Sequence, residues 1–317
     1  MSIIEKAVDK LASEPEEPAG SRPVPKVTTA ATVEQPVPEP AAAIPQPRAG
    51  DPIPTALEQA ALTPEEIPIR FAELELEGVL SPEGGRSRLD EEYRMIKRPL
   101  LMKAFLPVAP GENPYNLIMV TSALSGEGKT FTSMNLAISI AMEMDRTVLL
   151  VDADLAKPSL SRLLQVNDRP GFTECLRDET LDLGECILHT DVPKLRVLPA
   201  GQRHNRATEL LASNSMIARL QEMATRYPDR IVLFDSPPLL ATSEASTLAR
   251  HMGQVAMVVE YGGTPQFMIK EALGLLESKE NVSLILNKSR DDFLIKHVGG
   301  YGYGYGKGYG YGAYGDQ

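Results

Sequence analysis

The stretch Leu117-Ile-Met-Val-Thr-Ser-Ala-Leu-Ser-Gly-Glu-Gly-Lys-Thr130 decides the fold of this 317-residue chain. Its apolar beginning predicts a buried strand, and the residues after Thr130 carry apolar side chains at helical spacing. Strand, glycine-containing turn, Gly-Lys-Thr and helix, in this order, are the context that a phosphate-binding loop requires. The usual pattern is G-x-x-x-x-G-K-[ST], and Ala123 replaces its first glycine. An ordinary glycine-rich turn between a strand and a helix is the alternative interpretation.

A phosphate-binding loop predicts a bound nucleotide with Mg²⁺. Backbone N–H groups of such a loop surround the phosphates, and the N-terminus of the following helix adds partial positive charge. Lys129 is expected to reach the β- and γ-phosphates, and the Thr130 hydroxyl is expected to bind Mg²⁺. The predicted cofactor-binding residues of this loop are Ser125, Gly126, Glu127, Gly128, Lys129, Thr130 and Phe131.

Apolar, strand-like runs alternate with helical stretches from residue 114 to residue 288. Several runs consist almost entirely of Val, Ile, Leu and Met, as expected where helices cover both faces of a parallel sheet. The alternation predicts a doubly wound, mostly parallel α/β domain with its ligand at the carboxyl ends of the strands. The predicted strands are 117–122, 147–151, 195–199, 230–234, 255–259 and 283–286, and the predicted helices are 130–144, 208–224, 244–250 and 266–279.

Two further predicted strands end in aspartate, where the γ-phosphate would lie. Asp152 and Asp154 follow one of them and Asp235 follows the other. Carboxylates beside a triphosphate repel it unless Mg²⁺ lies between them, so these strand ends predict a metal. Helix capping or a turn is the alternative role for each aspartate. If the acceptor is a tyrosine hydroxyl, with its ordinary pKa near 10, a base or metal must act on it, and either Asp152 or Asp154 could supply the base.

The chain outside this region divides by composition. Residues 1–12 place apolar side chains on one face of a short helix, which either docks on a partner or a membrane surface or frays in solution. Residues 13–70 hold half of the 26 prolines and predict a disordered linker. Residues 71–110 are assigned to a helical segment and 111–290 to the α/β domain. Residues 291–317 alternate Tyr and Gly and predict a flexible tail.

Charge and composition exclude several classes of protein. The net charge of −11 argues against nucleic acid as a partner. No apolar run approaches the ~18 residues of a membrane span, and no secretory signal is expected. Cys175 and Cys186 lack metal-site spacing and are expected to be free thiols in a reducing cytoplasm.

A second amphipathic helix is predicted between residues 89 and 97, with Ser87 as its N-cap and Pro99 ending or kinking it. Glu91, Arg94 and Lys97 recur every three residues and are expected to share one side of this helix. A solvated face and an interface with another subunit are both compatible with that spacing.

Together, these motifs and the tyrosine-rich C-terminus resemble the bacterial tyrosine kinases of exopolysaccharide and capsule assembly. Such kinases have a P-loop fold of the MinD/ParA type with a Walker A motif, an A-prime Asp-x-Asp motif and a Walker B motif. The N-terminal helix and Pro/Ala-rich linker are most similar to the exosortase-associated tyrosine autokinases, whose inner-membrane chain-length-determinant partner is a separate polypeptide. The resemblance covers about residue 89 to the C-terminus.

The resemblance implies roles for individual residues. Lys129 holds phosphates, Asp152 is the favoured base, and Asp154 and Asp235 join Thr130 on the metal side. Asn287 corresponds to a position that contacts the adenine base in related folds. Glu91-x-x-Arg94-x-x-Lys97 matches an oligomerisation motif that ends in arginine, so a homo-oligomer, with a ring favoured, is expected. The implied phosphoacceptors are Tyr301, Tyr303, Tyr305, Tyr309, Tyr311 and Tyr314.

The resemblance also implies the setting: a cytoplasmic protein that its partner recruits to the inner membrane, and a tyrosine phosphatase that reverses the reaction. Two departures bear on activity, because lysine replaces the last arginine of the oligomerisation motif and Ala156 replaces an arginine of the A-prime motif, with Lys157 next to it. A partitioning ATPase of the ParA/MinD type is the main alternative, although Leu124 stands where those proteins carry a signature lysine. A third interpretation is an inactive scaffold that binds nucleotide only for assembly.

Overall fold

The structure is a computed structural model that describes residues 71, 78–81 and 87–289. The predicted N-terminal helix, the predicted linker and the predicted tail lie outside these residues. None of the described helices is both long enough and apolar enough to cross a membrane.

A seven-stranded sheet forms the centre of the described chain, in the order β3-β4-β2-β5-β1-β6-β7. All neighbouring pairs are parallel except β3 and β4, which are antiparallel. The six predicted strands are confirmed to within one residue at each end, whereas the short β3 was not predicted. The strands are β1 (Leu117–Ser122), β2 (Thr147–Asp152), β3 (Leu188–His189), β4 (Leu195–Leu198), β5 (Arg230–Asp235), β6 (Gln254–Glu260) and β7 (Val282–Asn287).

Helices cover both faces of this sheet, as the apolar strands predicted. Alternate residues of one strand therefore enter two different cores. Leu149 of β2 and Phe234 of β5 lie in one core, and Leu150 and Leu233 lie in the other. The helices are α1 (Arg88–Ala104), α2 (Lys129–Ala141), α3 (Ser159–Leu163), α4 (Phe172–Arg177), α5 (Leu183–Cys186), α6 (Ala207–Leu211), α7 (Asn214–Thr225), α8 (Ser243–Ala249) and α9 (Gln266–Gly274).

Helix α1 begins as predicted and ends later than predicted. Ser87 and Asp90 form a full capping box, in which each side chain accepts a hydrogen bond from the other residue's N–H. Pro99 was predicted to end or kink the helix. It does not end the helix, because α1 continues to Ala104. Leu100 is buried against the sheet, and its carbonyl accepts a 3.1 Å hydrogen bond from Gln254 Nε2. These tertiary contacts offset the backbone hydrogen bond that proline cannot make.

The predicted helix 208–224 is two helices in the structure. It breaks at Ser213, whose Oγ donates to the Leu210 carbonyl at 2.7 Å and accepts from Met216 N at 3.2 Å. A serine that satisfies the end of one helix and the start of the next favours a break over a continuous helix. The predicted helices 130–144 and 266–279 end at Ala141 and Gly274.

Candidate nucleotide site

The loop between β1 and α2 has the backbone of a phosphate-binding loop. Gly126 and Gly128 have φ angles of 89° and 95°, in the left-handed region that favours glycine. Gly128 precedes α2 and has no side chain to cap it, so the first N–H groups of the helix receive no cap from this residue. Uncapped N–H groups at the start of a 13-residue helix suit a bound anion.

Glu127 supports this loop from inside. The residue is 2% exposed, and its carboxylate accepts hydrogen bonds from Leu124 N at 2.6 Å, Glu260 N at 3.3 Å and the Thr264 hydroxyl. The prediction placed Glu127 among the nucleotide contacts, but its side chain is committed to the protein. Its role is to hold the loop against the end of β6.

Asn287 and Lys288 hold the same loop from the end of β7. Asn287 Nδ2 donates to the Glu127 carbonyl at 2.8 Å, and Lys288 Nζ donates to the Gly126 carbonyl at 2.8 Å. A Cβ atom on Gly128 would lie only 2.1 Å from Asn287 Nδ2, so this close approach requires glycine. Asn287 was predicted to contact adenine, and in the structure one of its N–H groups binds the loop backbone.

The loop lysine and the three predicted aspartates come together at the carboxyl ends of β1, β2 and β5. Lys129 Nζ lies 3.7 Å from Asp154 Oδ2. Asp152 and Asp235 are directly opposite each other in the pairing of β2 with β5, and both are fully buried. The predicted catalytic and metal-side residues therefore form one cluster.

Burial shifts the pKa values of all three carboxyl groups upward. The pKa of Asp152 rises to about 7, because of desolvation and then because of the charge of Asp235. The pKa of Asp235 rises to about 6 through desolvation, which Lys129, Thr130 and Ser133 partly oppose. Desolvation likewise raises the pKa of Asp154, against the opposing effect of Lys157 and Lys129. Asp152 and Asp235 can therefore exchange protons near neutral pH.

Asp152 also has a structural role that the sequence did not indicate. Its Oδ2 accepts hydrogen bonds from the N–H and the hydroxyl of Ser161, both at 2.7 Å, and its Oδ1 accepts from Asp154 N at 3.3 Å. The same serine hydroxyl accepts from Ala200 N at 2.9 Å. Asp152 thereby ties the end of β2 to α3 and to the residues after β4. Motif spacing could not identify Ser161, because its contacts with Asp152 and Ala200 form only when the chain is folded.

The residues at this site fit a nucleotide with a magnesium ion. Asp235 Oδ1 accepts from Ser133 Oγ at 3.0 Å, whereas Asp235 Oδ2 is buried and has no hydrogen-bond partner among the residues that the structure describes. A buried carboxylate oxygen without a partner is costly unless a ligand satisfies it. The described residues contain no group of three or more acidic, histidine or cysteine side chains arranged for a metal. At nucleotide sites, one or two carboxylates hold Mg²⁺ together with the phosphates.

Ala156 stands where the A-prime motif usually has an arginine, and Lys157 is the basic residue that would have to substitute for it. Ala156 and Lys157 are both exposed, and Lys157 N donates to Asp154 Oδ1 at 3.0 Å. The Lys157 charge lowers the pKa of Asp154, which places the charge beside the carboxylate cluster. Glu244, at the start of α8, adds a further carboxyl group here, and its pKa is raised by desolvation and by the charge of Asp154. No motif in the sequence pointed to Glu244 as a site residue.

The three predicted oligomerisation residues do not share one environment. Arg94 and Glu91 are exposed and form an ion pair with a 2.7 Å separation. Lys97 is only 6% exposed, and its ammonium group donates to the Ser139 carbonyl at 2.5 Å and pairs with Glu143 at 2.7 Å. Lys97 therefore fixes α1 to α2 within the subunit. Of the other predicted sites, Phe131 lies against Gly78, and the six predicted acceptor tyrosines lie outside the described residues.

A family model matches the central part of the chain. Residues 115–256 match the family model described as an AAA domain. The tyrosine-protein kinase YwqD of Bacillus subtilis is 31% identical over 197 residues, which are 61% of this chain and 79% of that protein. The tyrosine-protein kinase wzc of Salmonella typhi is 34% identical over 146 residues, which are 46% of this chain. The chain spans about a fifth of the length of several curated relatives, since the match covers 20% of wzc.

Solved structures give the same relationship. The VpsO kinase domain is 31% identical, with 64% of this chain and 100% of that chain covered and a TM-score of 0.51. The kinase domain of the Escherichia coli tyrosine kinase ETK is 27% identical, with 68% and 80% covered and a TM-score of 0.54.

Proposed function

Because the chain belongs to the family of bacterial tyrosine-protein kinases, we propose that it transfers the γ-phosphoryl group of ATP to tyrosines in the C-terminal tails of neighbouring copies of the same chain. The observation that carries this proposal is the position of Lys129, which joins the phosphate-binding loop to the buried carboxylate cluster of Asp152, Asp154 and Asp235. Phosphoryl transfer depends mainly on positioning and on neutralising charge, and this cluster brings both to one point.

Each group has a proposed part in the transfer. The backbone N–H groups of residues 125–130 and the Lys129 ammonium group bind the phosphates. Thr130, Asp154 and Asp235 would hold Mg²⁺, which when bound supplies positive charge between the phosphates and the carboxylates. The acceptor tyrosine oxygen forms a bond to the γ-phosphorus as the bond to the β-phosphate oxygen breaks and ADP leaves.

Asp152 is the proposed base that receives the tyrosine proton. Its pKa of about 7 leaves a large ionised fraction at neutral pH while keeping the carboxylate basic enough to accept a proton. A carboxylate has about four sites for hydrogen bonds, and Asp152 uses three of them. One site therefore remains for the acceptor hydroxyl.

The acceptors in this proposal are Tyr301, Tyr303, Tyr305, Tyr309, Tyr311 and Tyr314 of a neighbouring subunit. A homo-oligomer, with a ring favoured, presents one tail to the next active site. Each phosphate adds about −1.5 to −2 charges at pH 7. Six of them on a protein of net charge −11 would separate the subunits by repulsion. A tyrosine phosphatase would then restore the assembly.

The proposed setting is the cytoplasmic face of the inner membrane. There a separate chain-length-determinant protein recruits the kinase peripherally, and the cycle of phosphorylation regulates exopolysaccharide synthesis, export and chain length. The names of the kinase relatives support the activity, and the exopolysaccharide role rests on the resemblance of the sequence.

The proposal is tested by incubating the full chain with Mg-ATP, with and without the candidate membrane partner, and mapping phosphotyrosine by mass spectrometry. Phosphate on the tail tyrosines is expected, and Lys129→Met is the matched control for contaminating kinases. A partitioning ATPase or an inactive scaffold would give no phosphotyrosine in either condition, and that result would overturn the proposal.

A further inference from the structure

An apolar groove lies between helix α1 and the edge strand β7. It encloses about 380 Å³. Met95, Ile96 and Pro99 of α1 line one side, and the edge of β7 from Leu284 to Leu286 lines the other. Leu284 is 57% exposed, Leu286 is 47% exposed and Met95 is 64% exposed. A continuous apolar surface of this kind usually marks a binding site.

Strand β7 is also an open edge within the described part of the chain. Its described pairing is with β6 alone. Ile285 faces the core that contains Leu100 of α1, whereas Leu284 and Leu286 point to the opposite face of the sheet. An edge strand with exposed leucines offers both unpaired backbone groups and an apolar surface to an added strand.

The chain itself supplies a suitable segment at this place. Ser289, the last described residue, lines the groove. Lys288, just before it, has a φ of 56°, a left-handed conformation that is common where a chain turns. Phe293, Leu294 and Ile295 follow within a few residues and form an apolar run that the glycine- and tyrosine-rich tail does not otherwise contain. From residue 289 to residue 293 the chain spans up to about 13 Å, enough to turn back.

We propose that residues 292–296 fold back along the open edge of β7 as an antiparallel strand and cover this groove. A four-residue turn at 288–291, a common hairpin length, pairs Leu286 with Phe293, Ile285 with Leu294 and Leu284 with Ile295. Residues that face each other in an antiparallel pair project to the same side of the sheet. Leu294 thus enters the groove beside α1, and Phe293 and Ile295 cover the two exposed leucines.

The occupant is the segment of the same chain, because it begins at the groove and needs no second molecule to reach it. The part of the tail outside the proposed strand then begins after Lys296. If the proposed function holds, on which this consequence rests, Tyr301 is tethered by five residues with an r.m.s. reach of about 12 Å. Tyr314 is tethered by 18 residues with a reach of about 23 Å. The strand would set which tyrosines can extend to a neighbouring site.

Tryptophan fluorescence tests the strand without using kinase activity. The chain contains no tryptophan, so Phe293→Trp introduces a single probe, and Tyr314→Trp gives the matched probe far along the tail. We expect the emission of Phe293→Trp to be blue-shifted relative to that of Tyr314→Trp, because an indole that packs on Leu286 of β7 loses contact with water. Equal emission maxima in the two full-length proteins would overturn the proposal.

A second substitution locates the site. Adding Leu284→Glu to the Phe293→Trp protein should move its emission to that of Tyr314→Trp, whereas Met102→Glu should not. Met102 is an exposed α1 residue outside the groove lining and is the matched control, and circular dichroism confirms that both variants fold. Emission that ignores Leu284→Glu would contradict this site. A blue shift that disappears on dilution would show that a second copy supplies the segment, which would also overturn the proposal.

Discussion

Lys129 Nζ lies 3.7 Å from Asp154 Oδ2, and their side chains are only 12% and 7% exposed. The lysine that is expected to hold the phosphates of ATP is therefore already directed at the carboxylate cluster at the end of β2. Binding of a triphosphate would bring its charge between these two groups. Because charges in a poorly solvated site interact strongly, the pair should be sensitive to the loss of either partner.

Replacing Lys129 by methionine should abolish autophosphorylation, with a loss of at least about 100-fold. Methionine keeps the length of the side chain but removes the charge that neutralises the phosphates in the transition state. Phosphotyrosine measured over time with purified variant and wild-type protein checks this. Undiminished phosphorylation, with contaminating kinases excluded, would remove Lys129 from the site.

Replacing Asp152 by asparagine should lower the rate of autophosphorylation by orders of magnitude while leaving the protein folded. An amide cannot accept the tyrosine proton, although it keeps a hydrogen-bond acceptor for Ser161. The turnover rate at saturating ATP is the quantity to measure.

Ser161→Ala is the matched control for Asp152→Asn. It removes the 2.7 Å hydroxyl contact to Asp152 and leaves the carboxylate in place. If Asp152 acts as the base, Ser161→Ala should reduce the rate far less than Asp152→Asn does. Equal losses in the two variants would indicate that Asp152 only positions α3.

The raised pKa values predict how stability depends on pH in the nucleotide-free protein. Asp152 and Asp235 have pKa values of about 7 and about 6, above the ordinary value of 3.8. The folded protein therefore binds more protons than the unfolded chain between about pH 4 and pH 7. This contribution to stability is fully present below pH 4 and is lost as the pH rises through that window.

Denaturant unfolding at a series of pH values checks this prediction. The quantity to follow is the free energy of unfolding of wild type minus that of Asp152→Asn at the same pH. This difference should decline as the pH rises from 5 to 8. One pKa unit corresponds to about 1.4 kcal/mol, which sets the scale of the difference. A difference that is constant over this range, or one that grows with pH, would contradict the assigned protonation.

Much of the fold and the site could be predicted because the signals are local. A central strand was predicted from the apolar run Leu117-Ile-Met-Val120. The strand is buried on both faces, so its residues are apolar throughout and do not alternate with polar ones. Asp152 and Asp235 were predicted to meet because parallel strands end at the same edge of a sheet. The lysine and the aspartates of the site follow from motif spacing alone.

The errors occurred where distant contacts decide the local structure. Pro99 does not end α1, because Leu100 packs on the sheet and bonds to Gln254. Lys97 shares its spacing with Glu91 and Arg94, yet it is buried because Glu143 and the end of α2 lie beside it. Helical periodicity reports which residues share a face, but it does not report what covers that face.

Lys97→Met should therefore destabilise the subunit, by about 1–3 kcal/mol, because it leaves the buried Ser139 carbonyl without its donor. Arg94→Ala is the matched substitution on the exposed side of the same helix and should change stability by less than about 0.5 kcal/mol. Thermal or chemical unfolding of the two variants measures the difference. Equal stabilities would argue against the docking role of Lys97.

Arg94→Glu should act on assembly and leave folding intact. Reversing this exposed charge places like charges beside Glu91 and, in the proposed oligomer, against the neighbouring subunit. Light scattering should show monomers where wild type forms a larger species. An unchanged mass, or a wild type that is monomeric with every nucleotide and partner, would contradict assembly through this helix.

The most direct measurement mixes two variants, neither of which can phosphorylate its own tail. A chain truncated after residue 296 keeps the catalytic residues but has no tail tyrosines, and a full-length Lys129→Met chain keeps the tyrosines but not the catalytic lysine. With Mg-ATP, phosphotyrosine should accumulate on the Lys129→Met chain, and oligomer size should fall as it does. No transfer to that chain, under conditions in which wild type phosphorylates itself, would contradict phosphorylation between subunits.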